Sequence, residues 1–487
     1  MRVLLARHEV NPDKHDNNGE APLLCAAFNG HKGVVRLLLE RDEVNPDKLS
    51  NNGRTPLWCA ALNGHTEVVK ILLERDEVSP DKPDNDGQTP LYAATWNGHE
   101  EVVKILLARH EVSPDKPDNN GEAPLLCAAF NGHKEVVMLL LERDEVNPDG
   151  AASNGDTPLI CAASNGHVEV VKMLLKRDEV NPDISGNGGQ TPLRCAAFRG
   201  HEGVVRILLQ RGEVNPDRPD NDGQTPLSCA AWNGHARVVQ ILLERDEVTP
   251  DKPDNDGQTP LWGAASRGHE GVAKILLERS KVSPDKPDNN GQTPLLCAAG
   301  NGHEGVVKFL LERGEVNPDG SDSNGQTPLR CAAQNGQEEV VKVLLEQGEV
   351  NPNKPDNDGR TPLWYAALKG HDAVVKTFLE WREVNPDQPD IEGRTPLLCA
   401  AWNGHERVVK MLLEREEVSP DKQDNDGRTP LSYAAGNGYA GVAKILLGRD
   451  DVDPSKQDEY GQTPLRLATR HGHTTVVALL QPGGPSV

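Results

Sequence analysis

Apolar residues along this 487-residue chain fall in short clusters separated by polar stretches rich in Pro and Gly, and the clusters return at a fixed interval. The dipeptide Pro-Leu marks the beat. Its proline stands at 22, 56, 90, 124, 158, 192, 226, 260, 294, 328, 362, 396, 430 and 464, always 34 residues apart. A constant period in this range predicts one supersecondary unit stacked many times, each copy burying its apolar face on its neighbours.

Residues 51–84 illustrate the unit. Thr55 before Pro56 reads as a helix start: the hydroxyl accepts from an early backbone N–H, and Pro at the first helical position forfeits no bond. A short helix follows and stops at Gly64, which is free to adopt the left-handed conformation that closes a helix. His65 opens a second helix. Val68, Val69, Leu72 and Leu73 have the spacing of a stripe along one helical face. Glu77 to Gly87, broken by Pro80, Pro83 and an Asp-Gly pair, cannot continue the helix and reads as a long, turn-rich connector.

The pattern Gly87-Gln88-Thr89-Pro90-Leu91, Asn97-Gly98-His99, then Val102-Val103-Lys104-Ile105-Leu106-Leu107 closely resembles the ankyrin repeat. That resemblance, in register fourteen times, implies an all-α ankyrin-type solenoid of stacked helix-turn-helix repeats with protruding β-turn-like loops. The expected organisation is a partial repeat over 1–14, a single array of fourteen repeats over 15–481, and a short tail over 482–487. The repeat is one residue longer than the family's usual 33. Its signature His after Thr-Pro-Leu is missing throughout, and Ala21 and Ala123 replace the capping Thr at a cost of about 1 kcal/mol each. The Gly-His pair becomes Gly336-Gln337 and Gly438-Tyr439. Near-identical arrays with such connectors also resemble those of large fungal proteins, where they often follow a nucleotide-hydrolysing signalling module and are thought to act as sensors.

Only 3% of residues are aromatic and 36% hydrophobic, too little to fill one large globule but enough for a stack in which each repeat covers the next. The net charge of −23 argues against binding a nucleic-acid backbone, which needs clustered Lys and Arg, and suits a soluble, self-repelling rod. No stretch reaches the length of a membrane span, and the first residues are too short for a signal peptide. With no Asn-x-Ser/Thr sequon, the expectation is an intracellular chain, cytoplasmic with the nucleus also open to it. A monomer is expected.

The ends of the period differ. Gln481 stands where other repeats carry a buried Leu and Pro482 replaces the following Glu, a polar finish suited to closing a solenoid. Leu4 to Asp13 align with the second half of a repeat. This leads to the expectation that the chain is the C-terminal part of a larger protein or a truncated gene product.

Repetition itself weakens the case for catalysis, because an active site is unique and these polar residues recur. No nucleophile elbow, HExxH, kinase set or P-loop is present, so neither enzyme activity nor a cofactor is expected. All nine cysteines (Cys25, Cys59, Cys127, Cys161, Cys195, Cys229, Cys297, Cys331 and Cys399) occupy one repeat position, too far apart in adjacent repeats to bridge, and read as small core residues. Twelve histidines follow Gly in the inter-helix turn, one per repeat. They cannot converge on one ion and read as turn-stabilising donors, not metal ligands. Asp84-Asn85-Asp86-Gly87 resembles part of a calcium loop, but Lys82 and Ala93 fall where its anchoring ligands belong. Turn chemistry is the better account.

Two positions break the repetition and share one helical face: the residue after Pro-Leu and the residue four later. They hold six of the seven tryptophans. In ankyrin-like arrays this face lines the concave groove where partners bind, and Trp, Tyr and Arg dominate interface hot spots. The candidate partner-binding residues are therefore Trp58, Tyr92, Trp96, Phe130, Arg194, Phe198, Trp232, Trp262, Arg330, Trp364 and Trp402. The competing reading has these aromatics lying across neighbouring first helices as packing. Connector tips at 150–154, 184–188 and 320–324 form a second variable patch, and having lost Pro they are expected to be more mobile. The expected function is protein–protein recognition, as scaffold, adaptor or sensor. The alternatives are a recognition arm for an enzyme or NTPase outside this chain, or an elastic rod.

Overall fold

A computed structural model describes residues 11–279 and 281–481. The aligned half-repeat over 1–10 and the tail with Pro482 lie outside the described residues. Among the described residues there are fourteen helix pairs and no strand. The chain divides into two compact units, one running to Ala230 and including Arg237–Thr249, the other comprising Ala231–Ala236 and the residues from Pro250 on. Within each unit the repeats stack as a solenoid, first helix on first helix and second on second.

Each repeat is built as its residues dictate. In the second repeat Thr55 Oγ1 accepts from Trp58 N at 3.0 Å and Pro56 occupies the first turn of the helix Pro56–Leu62. Ala21 and Ala123 make no such cap, as expected of alanine. The second helix, Thr66–Leu73, buries Val68, Val69 and Leu72 against Leu57, Ala60 and Ala61 and the equivalent residues of the neighbouring repeats. The alanines leave no side chain beyond Cβ to hold the backbones apart.

Gly64 is required twice over. Its φ is +68°, and a Cβ there would lie 2.6 Å from Nδ1 of His99 in the following repeat. That histidine does not brace its own turn. Its Nε2 donates 2.9 Å back to the carbonyl of Leu62, and the same bond links His65 to Phe28, His133 to Trp96 and His405 to Leu368. The histidines are therefore tie-bars between repeats.

Three further sets of bonds join neighbours. Arginines just past the second helix donate to a carbonyl at the end of the preceding second helix, as Arg143 does to Leu107 (2.7 Å) and Arg415 to Leu379 (2.7 Å), satisfying groups the helix leaves open. At the connector tip Asp84 Oδ1 accepts from the backbone N–H of Asp86 and Gln88, both at 3.0 Å, which is the expected turn chemistry. Asn85 binds the previous tip through both its backbone and its side chain. Lower on the connector, Lys82 Nζ meets Asp47 of the previous repeat at 2.8 Å, as Lys48 meets Asp13 and Lys422 meets Asp387.

Candidate partner-binding face

The two variable columns have different fates. The residue after Pro-Leu points into the stack: Trp58 (2% exposed), Tyr92, Trp262, Arg330 and Trp364 are buried and Arg194 is half-buried. Their polar ends bond the next connector. The indole N–H groups of Trp58, Trp262 and Trp364 each donate at 3.0 Å, to the carbonyls of Gln88, Gln292 and Arg394. Tyr92 OH donates to Glu122 at 3.1 Å. Arg194 pairs with Asp220 at 2.6 Å, and Arg330 lies 3.9 Å over the Tyr365 ring and 3.7 Å from Asp356. The polar ends of this column thus link repeat to repeat.

The column four residues later faces outward. In the first unit Phe28, Trp96 (41%), Phe130 (44%) and Phe198 are exposed and Leu62 is half-buried, so an apolar stripe runs unbroken through four consecutive repeats before Ser164 interrupts it. Trp96 stacks between Tyr92 (6.4 Å between centroids) and Phe130 (6.2 Å). In the second unit Trp232 stacks on Trp262 at 6.2 Å under the Arg267 guanidinium. Gly263 makes room for it, since a Cβ there would sit 3.1 Å from the indole. Ser266, Gly300 and Gln334 then hold the column polar or small until half-buried Leu368 and exposed Trp402, which stacks on Tyr433 at 5.0 Å.

The stripe of the first unit borders a pocket of about 360 Å³. Trp58, Leu62, Tyr92 and Trp96 supply its large apolar lining, and Asp118, Glu122, Arg54 and Gln88 line it as well. Sequence reasoning missed these four polar residues because tip aspartates were treated only as turn formers. A signal existed: the residue before the capping Thr varies as Glu20, Arg54, Gln88, Glu122 and Asp156 along these repeats.

The variable tips have a structural signature as well. Gly150, Ile184 and Gly320 stand where other repeats carry the connector lysine, so Asp115, Asp149 and Asp285 have no ammonium opposite them. Each accepts instead from a backbone N–H, of Asn147, Asn181 and Asn317, and burial pushes each carboxyl above the ordinary aspartate value. The tips themselves keep their turns: Ala152 N–H reaches Asp156 O at 2.9 Å and Ser153 N–H reaches Asn120 O at 2.9 Å.

Family models described as ankyrin repeats in three copies match overlapping stretches from 42–118 to 416–486, and one for a single ankyrin repeat matches 18–51. The chain belongs to the ankyrin repeat family. No curated protein matches it. Ankyrin repeats are generally protein–protein interaction modules and typically non-catalytic. Among the described residues no cluster of His, Cys, Asp and Glu has the makings of a metal site, and no helix is long and apolar enough to cross a membrane. The nine cysteines form no disulfide, and Cys59, Cys127, Cys161, Cys229, Cys297 and Cys399 are buried. Burial pushes Cys195 and Cys229 up to about 11 and Cys59 and Cys127 to about 12, which leaves them protonated and unreactive at neutral pH.

Proposed function

We propose that this ankyrin array is a non-enzymatic protein-recognition scaffold, adaptor or sensor arm that engages its partner through the stripe Phe28, Leu62, Trp96 and Phe130. One observation carries the reading. Four successive repeats present large apolar side chains on one face, where the equivalent positions of the second unit include Ser, Gly and Gln. A contiguous apolar patch with a polar rim marks interaction surfaces, and rigid aromatics are frequent anchors. Trp402 and the half-buried Trp232 are secondary candidates. Buried free thiols favour a reducing, intracellular compartment.

Paired substitutions test the assignment. Trp96→Ala and Phe130→Ala should remove partners captured by the wild-type chain while changing stability by about 1 kcal/mol or less, because both rings are partly in solvent. Trp58→Ala should cost about 3–5 kcal/mol, as truncation of a buried indole does. Partner capture unchanged in Trp96→Ala with Phe130→Ala would remove the stripe as the binding face. The readouts are capture with mass spectrometry and thermal melting.

A further inference from the structure

We infer that the pocket beside Trp96 receives the guanidinium of an arginine carried by the bound partner; this rests on the reading that the stripe binds proteins. Tip aspartates of several repeats are buried and face a guanidinium from the preceding repeat. Arg54 lies 3.5 Å from Asp84 and 4.2 Å above the Trp58 ring. Arg330 lies 3.7 Å from Asp356 and stacks on Tyr365. Arg194 meets Asp220 at 2.6 Å, and Arg428 meets Asp458 at 3.7 Å. The chain thus sets a planar cation against a buried carboxylate repeatedly, and under the guanidinium of Arg54, Arg330 and Arg428 it also sets an aromatic ring.

Asp118 is the tip aspartate of the pocket, and it is only 7% exposed. The residue related to it as Arg330 is to Asp356 is Tyr92, and the one related as Arg54 is to Asp84 is Gln88. Neither supplies a cation. Asp118 Oδ1 accepts from the N–H groups of Asn120 (2.8 Å) and Glu122 (2.9 Å), while Oδ2 has only the Asn120 amide at 3.5 Å. At Asp322 an in-chain amide fills this role, Gln326 Nε2 donating at 2.9 Å. Its counterpart beside Asp118 is Glu122, a second acceptor. Asp288 also lacks a guanidinium, but there the counterpart is Gln292, without the second carboxylate.

The pocket therefore brings a buried carboxylate and a second one beside it to an aromatic surface, where sibling repeats place an arginine of their own. Burying a carboxylate without a cation is costly, and two carboxylates lining one pocket favour a donor with several N–H groups in a plane. Arginine fits better than lysine because it stacks and donates in a fork.

The test uses the full chain and a displayed dodecapeptide library. Peptides enriched on wild type and lost on Trp96→Ala should share an arginine. In a synthetic representative, replacing that arginine by lysine or citrulline should weaken binding about tenfold or more, and Asp118→Asn or Glu122→Gln should do likewise. Asn at 118 keeps the acceptor that closes the tip turn, so melting should hold. Gln88→Arg, which copies Arg54 in the next repeat, should plug the pocket: binding lost, melting temperature raised. Enriched peptides that depend on Trp96 but tolerate loss of arginine, or that ignore Asp118→Asn or Gln88→Arg, would overturn the arginine pocket and leave the stripe standing. If no enriched peptide depends on Trp96 or Phe130, both fall.

Discussion

Asp285 shows how much one residue depends on the repeat before and after it. With glycine at 320 in place of the connector lysine, its carboxylate keeps a single long contact, from Asn317 N–H at 3.4 Å, and burial holds its pKa above the usual value. A carboxyl raised in the folded state costs stability above its unfolded pKa of about 4, and the cost disappears as pH falls through the folded value. Asp285→Asn should therefore stabilise the chain at neutral pH by a few tenths of a kcal/mol, a figure discounted for the solvent reaching the group, with no gain near pH 3. The natural precedent is Asn353, whose repeat neighbour carries Gln388 at the lysine position and which accepts from Asn385 N–H at 2.7 Å. Denaturant unfolding at both pH values would detect the difference, and equal gains at both would refute the assignment.

At the scale of the element, the connector is the part whose roles were hardest to read in advance. Helix starts and stops were legible because Thr-Pro and Gly-His are local signals: Thr55 caps its own helix and Gly64 closes it. The partner of a side chain one repeat away is not a local signal. Lys82 gives no hint by itself that it meets Asp47, nor His99 that it meets Leu62 O. The same limit applies at the candidate face, where Trp58 and Trp96 share a helical face in a wheel projection. The first is covered by the next connector and the second is not. Only stacking, which the pattern within one repeat does not contain, separates them. Restoring a missing strut tests the connector's role: Gly150→Lys should pair with Asp115 and stabilise by about 0.2–1 kcal/mol, less at high salt. A lysine there that left stability unchanged at low salt would mean the struts are incidental.

For the whole molecule, the free thiols are built-in reporters. Cys25, Cys59, Cys127, Cys161, Cys195 and Cys229 belong to the first unit and Cys297, Cys331 and Cys399 to the second. Cys59, Cys127, Cys161 and Cys229 of the first unit and Cys297 and Cys399 of the second are buried in first helices packed on their neighbours, so each becomes reactive when its repeat opens. Nearest-neighbour coupling then predicts that the buried thiols of one unit react together as denaturant rises, in groups of four and two. Modification followed by mass mapping would show it; six independent midpoints would contradict it. The bonds between repeats also have a direction. The histidines, the connector lysines, the arginines just past the second helices and the tip asparagines reach toward the repeat made just before them, whereas the indoles of Trp58, Trp262 and Trp364 and the Arg54 guanidinium reach toward the one made next. During synthesis each newly emerging repeat therefore brings these backward fasteners to a finished surface, while the first-helix indoles wait for the next connector. By the same logic a whole 34-residue segment, inserted or removed in register, leaves every such donor with an acceptor of the same kind. Copy number is thus a quantity this chain is built to change without being refolded from the start.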